Sequence, residues 1–579
     1  MEKLIGILIF IRLVSILLPQ ISYMYPDEFF QSTEIVAGDV LDVRVERPWE
    51  FNSQTPIRSV VFPFLIAGPP LYLLRWLASV NIPLVTPYFV LVLPRFVMAL
   101  VSLIIDVAVF KLCQTHRINA RFGVLLYATS YVTFTYFTRT FSNTVEAVLF
   151  AVLLLLTRPD VTSRFTSRRG RSELWKPLAI GAVVSAGIFN RPTFVAFAFV
   201  PLFFWAWDKY KSGSFRELLK ISLLPFVSAC VTGLVFMLLD TYYYSPKVVT
   251  GFVTDFKHCM FSNSKVNCLR DVGGRFKLTP LNFFDYNRNP DNLSEHGTHP
   301  RYLNILVNLP LLFGPLVVFL YWRIVKNVAN VVSGGFVQLQ DKFLLNDFRL
   351  VSVIVFPLVV LSLFPHQEPR FLTPLIPAGV VLTCRFFKFL KFESVEPPIK
   401  IETLEPSKVK NFTLGLWVVF NVLFTILFGF LHQGQLVPAL MDMQSHLARA
   451  PKTGTNNHLL FFHTYTPPRH FLLQQRAAEE HVFIHDLAGK SVAKLKKLVE
   501  ELHVSYVKGK DRPAKIWIIA PSSLDVEQDF LKYKLDVTSM CWHLSMEDPP
   551  RIGRWWRGKM TLTDLLSDMC LDVIQFKKA

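Results

Sequence analysis

About eleven apolar runs, most of them near the length that spans a bilayer, follow one another along the first three quarters of this 579-residue chain. They occupy residues 4–18, 88–110, 122–137, 144–156, 178–207 (two passes), 221–239, 302–322, 351–363, 371–390 and 412–430. In hydrocarbon every backbone N–H and C=O must be paired within the protein, so runs of this kind predict helices. Composition agrees: 52% of residues are hydrophobic, 53 are Phe, and mean hydropathy is +0.37. The net charge of +18 does not point to nucleic acid. Its Lys and Arg sit in short connectors between apolar runs rather than in a stripe with interleaved aromatics, which is the pattern of membrane topology. The reading is a mainly α, polytopic membrane protein.

Connector charge predicts which loops share a side. Residues 158–176 carry six Lys/Arg against two acids, and 111–121 and 209–220 are basic as well. These belong in the cytosol by the positive-inside rule. The acidic stretch 22–57, with Asp27, Glu28, Glu34, Asp39, Asp42, Glu46 and Glu50 against Arg44 and Arg47, then faces the opposite side. Parity requires residues 58–77, broken by Pro63 and Gly68-Pro69-Pro70, to lie along the membrane surface. It also requires 178–207 to cross twice as a helix broken at Asn190-Arg191-Pro192, and broken helices are tolerated where they line a cavity. The first run, with little basic flank and no small-residue cleavage site, is expected to be retained.

The same parity puts loops 22–87 and 241–301 and everything after residue 432 outside the cytosol. The sequon at Asn292 is then expected to carry a glycan, and that at Asn411 to stay bare. Seven cysteines include no Cys-x-x-Cys pair; Cys259 and Cys268 are close enough in a polar loop to bond in an oxidising lumen. Beyond residue 432, short β-like runs at 459–462, 481–484 and 516–520 alternate with a helical pattern at 491–502. That predicts a small α/β domain over 433–579 beside a transmembrane domain over 1–432.

Polar clusters abut the apolar runs at Asp27-Glu28, Arg139 within 138–143, Asn190-Arg191, His296 and His299, His366 to Arg370 (with Glu368 between), and His463 with Tyr465. All fall on the non-cytoplasmic face under this topology. Pro26 suits a first helical position, so Asp27 and Glu28 would open a helix with one apolar face, their charges favoured by its dipole. Taken singly, each cluster also suits a cap or an interfacial anchor. Together they offer carboxylates able to deprotonate a hydroxyl and cations able to hold a phosphate. The chain has no Asp-x-Asp, no glycine-rich phosphate loop and no Gly-x-Ser-x-Gly elbow.

In this order, Pro26-Asp27-Glu28, Thr138-Arg139-Thr140-Phe141-Ser142-Asn143, Phe189-Asn190-Arg191-Pro192-Thr193, His296-Gly297-Thr298-His299 and His366-Gln367-Glu368-Pro369-Arg370-Phe371 resemble glycosyltransferase family 22. That family comprises the dolichol-phosphate-mannose-dependent mannosyltransferases of the endoplasmic reticulum. Residues 26–32, 47–51 and 463–470 are similar to members that add the fourth mannose to glycosylphosphatidylinositol (GPI) precursors. The resemblance implies a GT-C fold with surface-lying helices, and inverting transfer of mannose to an α-linkage without a metal ion or other cofactor. Its implied partners are dolichol-phosphate-mannose as donor and a GPI glycolipid as acceptor, in the endoplasmic reticulum membrane with a lumenal site.

On the matching positions it implies Asp27 as base with Glu28 orienting, and donor phosphate held by Arg370, His366 and Arg139. Glu368, Asn190, Arg191, His296, His299, His463 and Tyr465 are further substrate-binding candidates. The chain departs from the family in Tyr25, where His is common, and in Gln367, where Lys is common. Another lipid-linked mannosyltransferase, acting on the third GPI mannose or the N-glycan precursor, and a lipid-linked sugar transporter or scramblase remain open on these residues. A transporter would place ionisable groups near the bilayer midplane between repeated halves.

Overall fold

The computed structural model describes residues 1–18, 20–158, 175–212, 215–261, 264–289, 291–292, 297–334, 342–387, 408–449, 455–507 and 514–576. His296, the Leu293 and Ser294 of the first sequon, and most of the basic connector 158–176 lie outside them. Contacts divide the chain into two compact units. The first comprises Met1–Leu13, Pro48–Leu65 and Met98–Val422; the second comprises Val14–Arg47, Ile66–Val97 and Leu423–Ala579. The second unit takes in Val14–Arg47 and Ile66–Val97 together with the C-terminal residues.

Six helices among the described residues are long and apolar enough to cross a membrane: Pro87–Thr115, Ser222–Tyr244, Asn304–Ser333, Leu345–Ser362, Pro369–Phe387 and Val409–Leu431. The other expected runs are helical too, as Glu2–Leu17, Ser142–Thr157, Trp175–Asn190 and Phe194–Ser212. Two of these meet at Pro192, where the missing N–H and the ring end one helix before the next begins. Residues 58–77 form two helices of 6 and 12 residues, Val61–Ile66 and Gly68–Ser79, neither long enough to cross.

The run 122–137 is not one helix but two, Ala120–Ala128 and Tyr131–Thr135. The break at Thr129 and Ser130 is stabilised from a neighbouring helix. Asn421 Oδ1 accepts from the Tyr131 backbone N–H at 2.6 Å, and the Trp417 indole donates to Thr129 Oγ1 at 3.1 Å. This is how a membrane-depth break keeps its backbone groups paired. Gly181 serves packing: a Cβ there would run into the Pro225 carbonyl, so only glycine lets Trp175–Asn190 lie against Phe215–Tyr244 at this spacing. Arg12 and Asp106, both buried, pair at 2.9 Å, so each intramembrane charge has its counter-ion.

The second unit contains a five-stranded sheet of β1 (Asn456–Phe462), β2 (Val482–Ala488), β3 (Ala514–Pro521), β4 (Leu535–Cys541) and β5 (Cys570–Phe576), in the order β2-β1-β3-β5-β4. β1 runs parallel to β2 and β3, while β5 is antiparallel to β3 and β4. The Val492–Val507 helix covers one face, burying Leu495 and Val499 against Leu460, Phe462, Ile516 and Ile518. Cys259–Cys268 is bonded as the spacing suggested, and Cys541–Cys570 is a second disulfide.

Candidate active site

In the first unit three chain segments bring their polar side chains together. Where Pro192 interrupts the helix, Asn190 Nδ2 donates to the Ser142 carbonyl at 2.9 Å and Arg191 Nη1 to Ser142 Oγ at 3.1 Å. Arg191 Nε also lies 3.5 Å from Glu146 Oε2, and Thr193 Oγ1 donates to Glu146 Oε1 at 2.9 Å. The Arg191 guanidinium stands 5.0 Å from the centre of the Phe371 ring, and that of Arg370 stands 5.4 Å from it. Two cations near one aromatic ring repel each other unless anions lie near, and Glu146 pairs with Arg191 while Glu368 pairs with Arg370.

Glu368 grips the remaining members. Arg370 donates to it through Nε and, at 3.1 Å, through Nη2, and His366 Nε2 lies 2.8 Å from its Oε1. Burial pushes the Glu368 carboxyl up, but the Arg370 guanidinium and the His366 bond outweigh it and hold the group well below the usual carboxylate range. The His299 ring lies 5.8 Å from that of His366. Gln367, buried at 2% exposure, accepts from the Asn304 N–H at 3.0 Å and donates to the Ser362 and Phe364 carbonyls at 3.2 and 3.1 Å. A lysine could not accept from Asn304, so the amide suits this chain's departure at 367. Arg139 is fully buried on the turn that leads into the Ser142–Thr157 helix.

The second unit holds the acidic stretch as far as Arg47. Its helix starts at Asp27, as Pro26 predicted, but includes a π-turn at Phe29–Thr33 before Glu34–Val40. Residues 28–40 are buried except Asp39, so the helix is enclosed all round rather than amphipathic. Glu28 is fully buried and accepts from Arg95 Nε at 2.6 Å, and Arg95 Nη1 donates to the Gln20 carbonyl at 2.6 Å. Asp27 is half-buried, and its Oδ2 accepts from Gln31 Nε2 at 2.7 Å. The adjacent carboxylates therefore differ: one is locked to a buried guanidinium, while the other reaches solvent.

Glu34, also fully buried, gathers residues 464–471 onto this helix. It accepts from the Arg469 N–H at 3.1 Å, the His470 N–H at 3.3 Å and the His470 imidazole, and from the Glu46 N–H at 2.8 Å. Tyr23 donates to the Thr466 carbonyl at 3.0 Å, and its ring meets that of Tyr465 edge-on at 5.5 Å. Burial, reinforced by Glu34, Glu28 and Asp27, pushes the Tyr23 phenol well above its usual range, which keeps it a donor. His463 is occupied elsewhere, with Nδ1 2.9 Å from Asp548 and Nε2 3.2 Å from the Lys490 carbonyl.

Sequence reasoning missed Glu146, Arg95 and the Glu34–His470 pair. The first two carried a signal, since an ionisable residue inside an apolar run is costly and marks a pairing or a function. Among the described residues no group of three or more His, Cys, Asp or Glu is arranged to hold a metal ion.

These features sit on a known architecture. The crystal structure of ArnT from Cupriavidus metallidurans in the apo state aligns over 99% of this chain and 98% of its own, with a TM-score of 0.50 and 11% identity. The likeness gives the chain the GT-C membrane fold. More closely, the profile of the Alg9-like mannosyltransferase family matches residues 4–474, and the chain belongs to that family. It is 34% identical over 96% of its length to the human protein named GPI alpha-1,2-mannosyltransferase 4, covering 92% of that protein. The proteins named GPI mannosyltransferase 4 of Emericella nidulans and Saccharomyces cerevisiae are 31% and 29% identical, with 91% and 85% of this chain and 90% and 81% of theirs aligned. Family membership settles enzyme against transporter.

Proposed function

We propose that this mannosyltransferase moves mannose from dolichol-phosphate-mannose to the third mannose of a GPI precursor, forming an α1,2-linkage with inversion. The observation that carries this reading is the near full-length similarity to chains named for that step. Asp27 takes the proton from the acceptor hydroxyl as its oxygen attacks the anomeric carbon and the bond to the phosphate oxygen breaks. Its partial exposure beside a buried, paired Glu28 supports this division, because a base must reach its substrate whereas Glu28 is committed to Arg95. Glu28 is thus a positioning residue for the start of the helix.

Arg370 and His366, with Arg139, bind the donor phosphate and stabilise the charge that develops on it as it leaves. Glu368 holds Arg370 and His366 in register for that anion. Arg191, Asn190, His299 and Tyr465, and His296 and His463, remain substrate-binding candidates, and the enzyme works in the endoplasmic reticulum membrane with its site on the lumenal side. Purified enzyme given dolichol-phosphate-mannose should mannosylate a trimannosyl GPI lipid and leave a dimannosyl one untouched. Transfer to the dimannosyl lipid alone would move the reaction to the third mannose.

A further inference from the structure

Between β4 and β5 the chain makes a loop closed at its base by Cys541–Cys570, and this loop is unusual in what it exposes. Trp542 is 66% exposed and Trp556 80%, and Met546, Ile552, Trp555, Leu562 and Leu566 are exposed beside them. Arg554, Arg557 and Lys559 are exposed among these apolar residues. Arg551 is different: it is tied to Asp525 and to Asp568, which anchors the loop on the sheet side. Indole rings next to Arg and Lys are the composition of the headgroup zone of a bilayer, where an apolar body and a polar rim are both satisfied.

The backbone places the loop where that zone would be. The apolar helix Val409–Leu431 ends at Leu431, and the chain leaving it pairs directly with the start of the loop. Leu544 N–H donates to the Leu431 carbonyl at 2.8 Å, Gln433 N–H to the Leu544 carbonyl at 3.0 Å, and Gln435 Nε2 to the Cys541 carbonyl at 2.6 Å. A Cβ on Gly434 would lie 2.5 Å from the Trp542 carbonyl, so the two strands meet with no room for a side chain. Trp542 is therefore held within a few residues of the point where a span leaves hydrocarbon.

We infer that the Cys541–Cys570 loop is a membrane-docking element that lays Trp542, Trp555 and Trp556 into the bilayer interface, with Arg554, Arg557 and Lys559 at the depth of the lipid phosphates. This does not depend on which sugar the enzyme transfers. It fixes the C-terminal sheet to the lipid surface by a contact separate from the spans. The committed partner is lipid, because exposed indoles beside Arg and Lys suit the headgroup zone and the loop is stapled to the end of a span.

The test uses the full-length enzyme in nanodiscs, with Cys230→Ser removing the exposed thiol. Trp556→Cys and, separately, Leu562→Cys are labelled with an environment-sensitive dye. Leu531→Cys, 78% exposed and outside the loop, is the reference. Both loop positions should show blue-shifted emission, quenched by nitroxides placed shallowly in the lipid and not at Leu531. Neutralising Arg554, Arg557 and Lys559 to Gln should lower the nitroxide quenching at both loop positions while leaving Leu531 unchanged. Water-like, unquenched emission at both loop positions overturns the inference. So does shielded emission that lipid nitroxides do not quench, because a protein or a second copy then covers the loop.

Discussion

Asp27→Asn separates the base from its surroundings. The substitution keeps the shape of the side chain and an oxygen to accept the Gln31 bond, while removing the carboxylate proposed to take the proton. General-base catalysis contributes about 10² to 10⁴-fold, or roughly 2.7 to 5.4 kcal/mol at 1.36 kcal/mol per decade. Folding should barely register the change, because a half-exposed carboxylate in a first turn is worth only about 0.3 to 1 kcal/mol through the helix dipole. Glu28→Gln inverts the pattern. It leaves Arg95, 4% exposed, without its charged partner, and breaking a buried pair costs about 3 to 5 kcal/mol.

Each purified variant would be assayed for kcat of mannose transfer and for its unfolding temperature in detergent. Asp27→Asn should lose at least about a hundredfold in kcat at a native unfolding temperature. Glu28→Gln should unfold earlier, with its activity following the folded fraction. An Asp27→Asn enzyme within about threefold of the parent would refute the assignment, since losing a base costs far more than that.

Other outcomes follow from the same contacts. Arg370→Ala should raise the KM for dolichol-phosphate-mannose by about ten- to a hundredfold, the loss of a charge-assisted bond, with a lower kcat if Arg370 stabilises the departing phosphate; unchanged kinetics in a folded variant would leave it a support for Glu368. Gly181→Val drives a side chain into the Pro225 carbonyl and should destabilise the enzyme by about 1 to 3 kcal/mol, measured by thermal unfolding. Burial, with help from the nearby His432 charge, lowers His543 to about 3, and its Nδ1 accepts the Gln435 N–H. The folded-state pKa lies below the unfolded value near 6.5, so stability is full above about pH 6.5. It is lost as pH falls toward 3, by up to about 1.4 kcal/mol per unit, and His543→Asn should flatten that slope. Asn292→Gln should abolish a glycan shift while a C-terminal tag stays protease-protected in sealed microsomes; an accessible tag would reverse the topology.

Hydropathy made the helices legible because the bilayer forces a helix wherever apolar length suffices, and short apolar runs bounded by polar segments made β1, β2 and β3 legible. β4 was not, since its residues are mostly exposed and lack an alternating apolar pattern. β5 follows a disulfide loop that no short-range signal announces. At the site, the motifs around Arg191 and Arg370 were visible as polar residues at the ends of apolar runs. What binds them was not, because Glu146 reaches Arg191 from 45 positions away and Arg95 reaches Glu28 from 67. Such pairing is a property of the folded chain, while periodicity reads only neighbours.

The clasp between Tyr23 and Thr466 spans 443 positions, and it has a consequence for how the enzyme is made. At about 5 to 20 residues per second, the acid-bearing helix emerges on the order of half a minute or more before the segment that encloses it exists. During that interval Glu34 has the Glu46 N–H but lacks the His470 imidazole and the Arg469 and His470 N–H groups, so the nascent first loop is an acidic segment awaiting the end of its own message. A chain cut short before residue 470 would complete nearly every span and still emerge with an unseated Asp27.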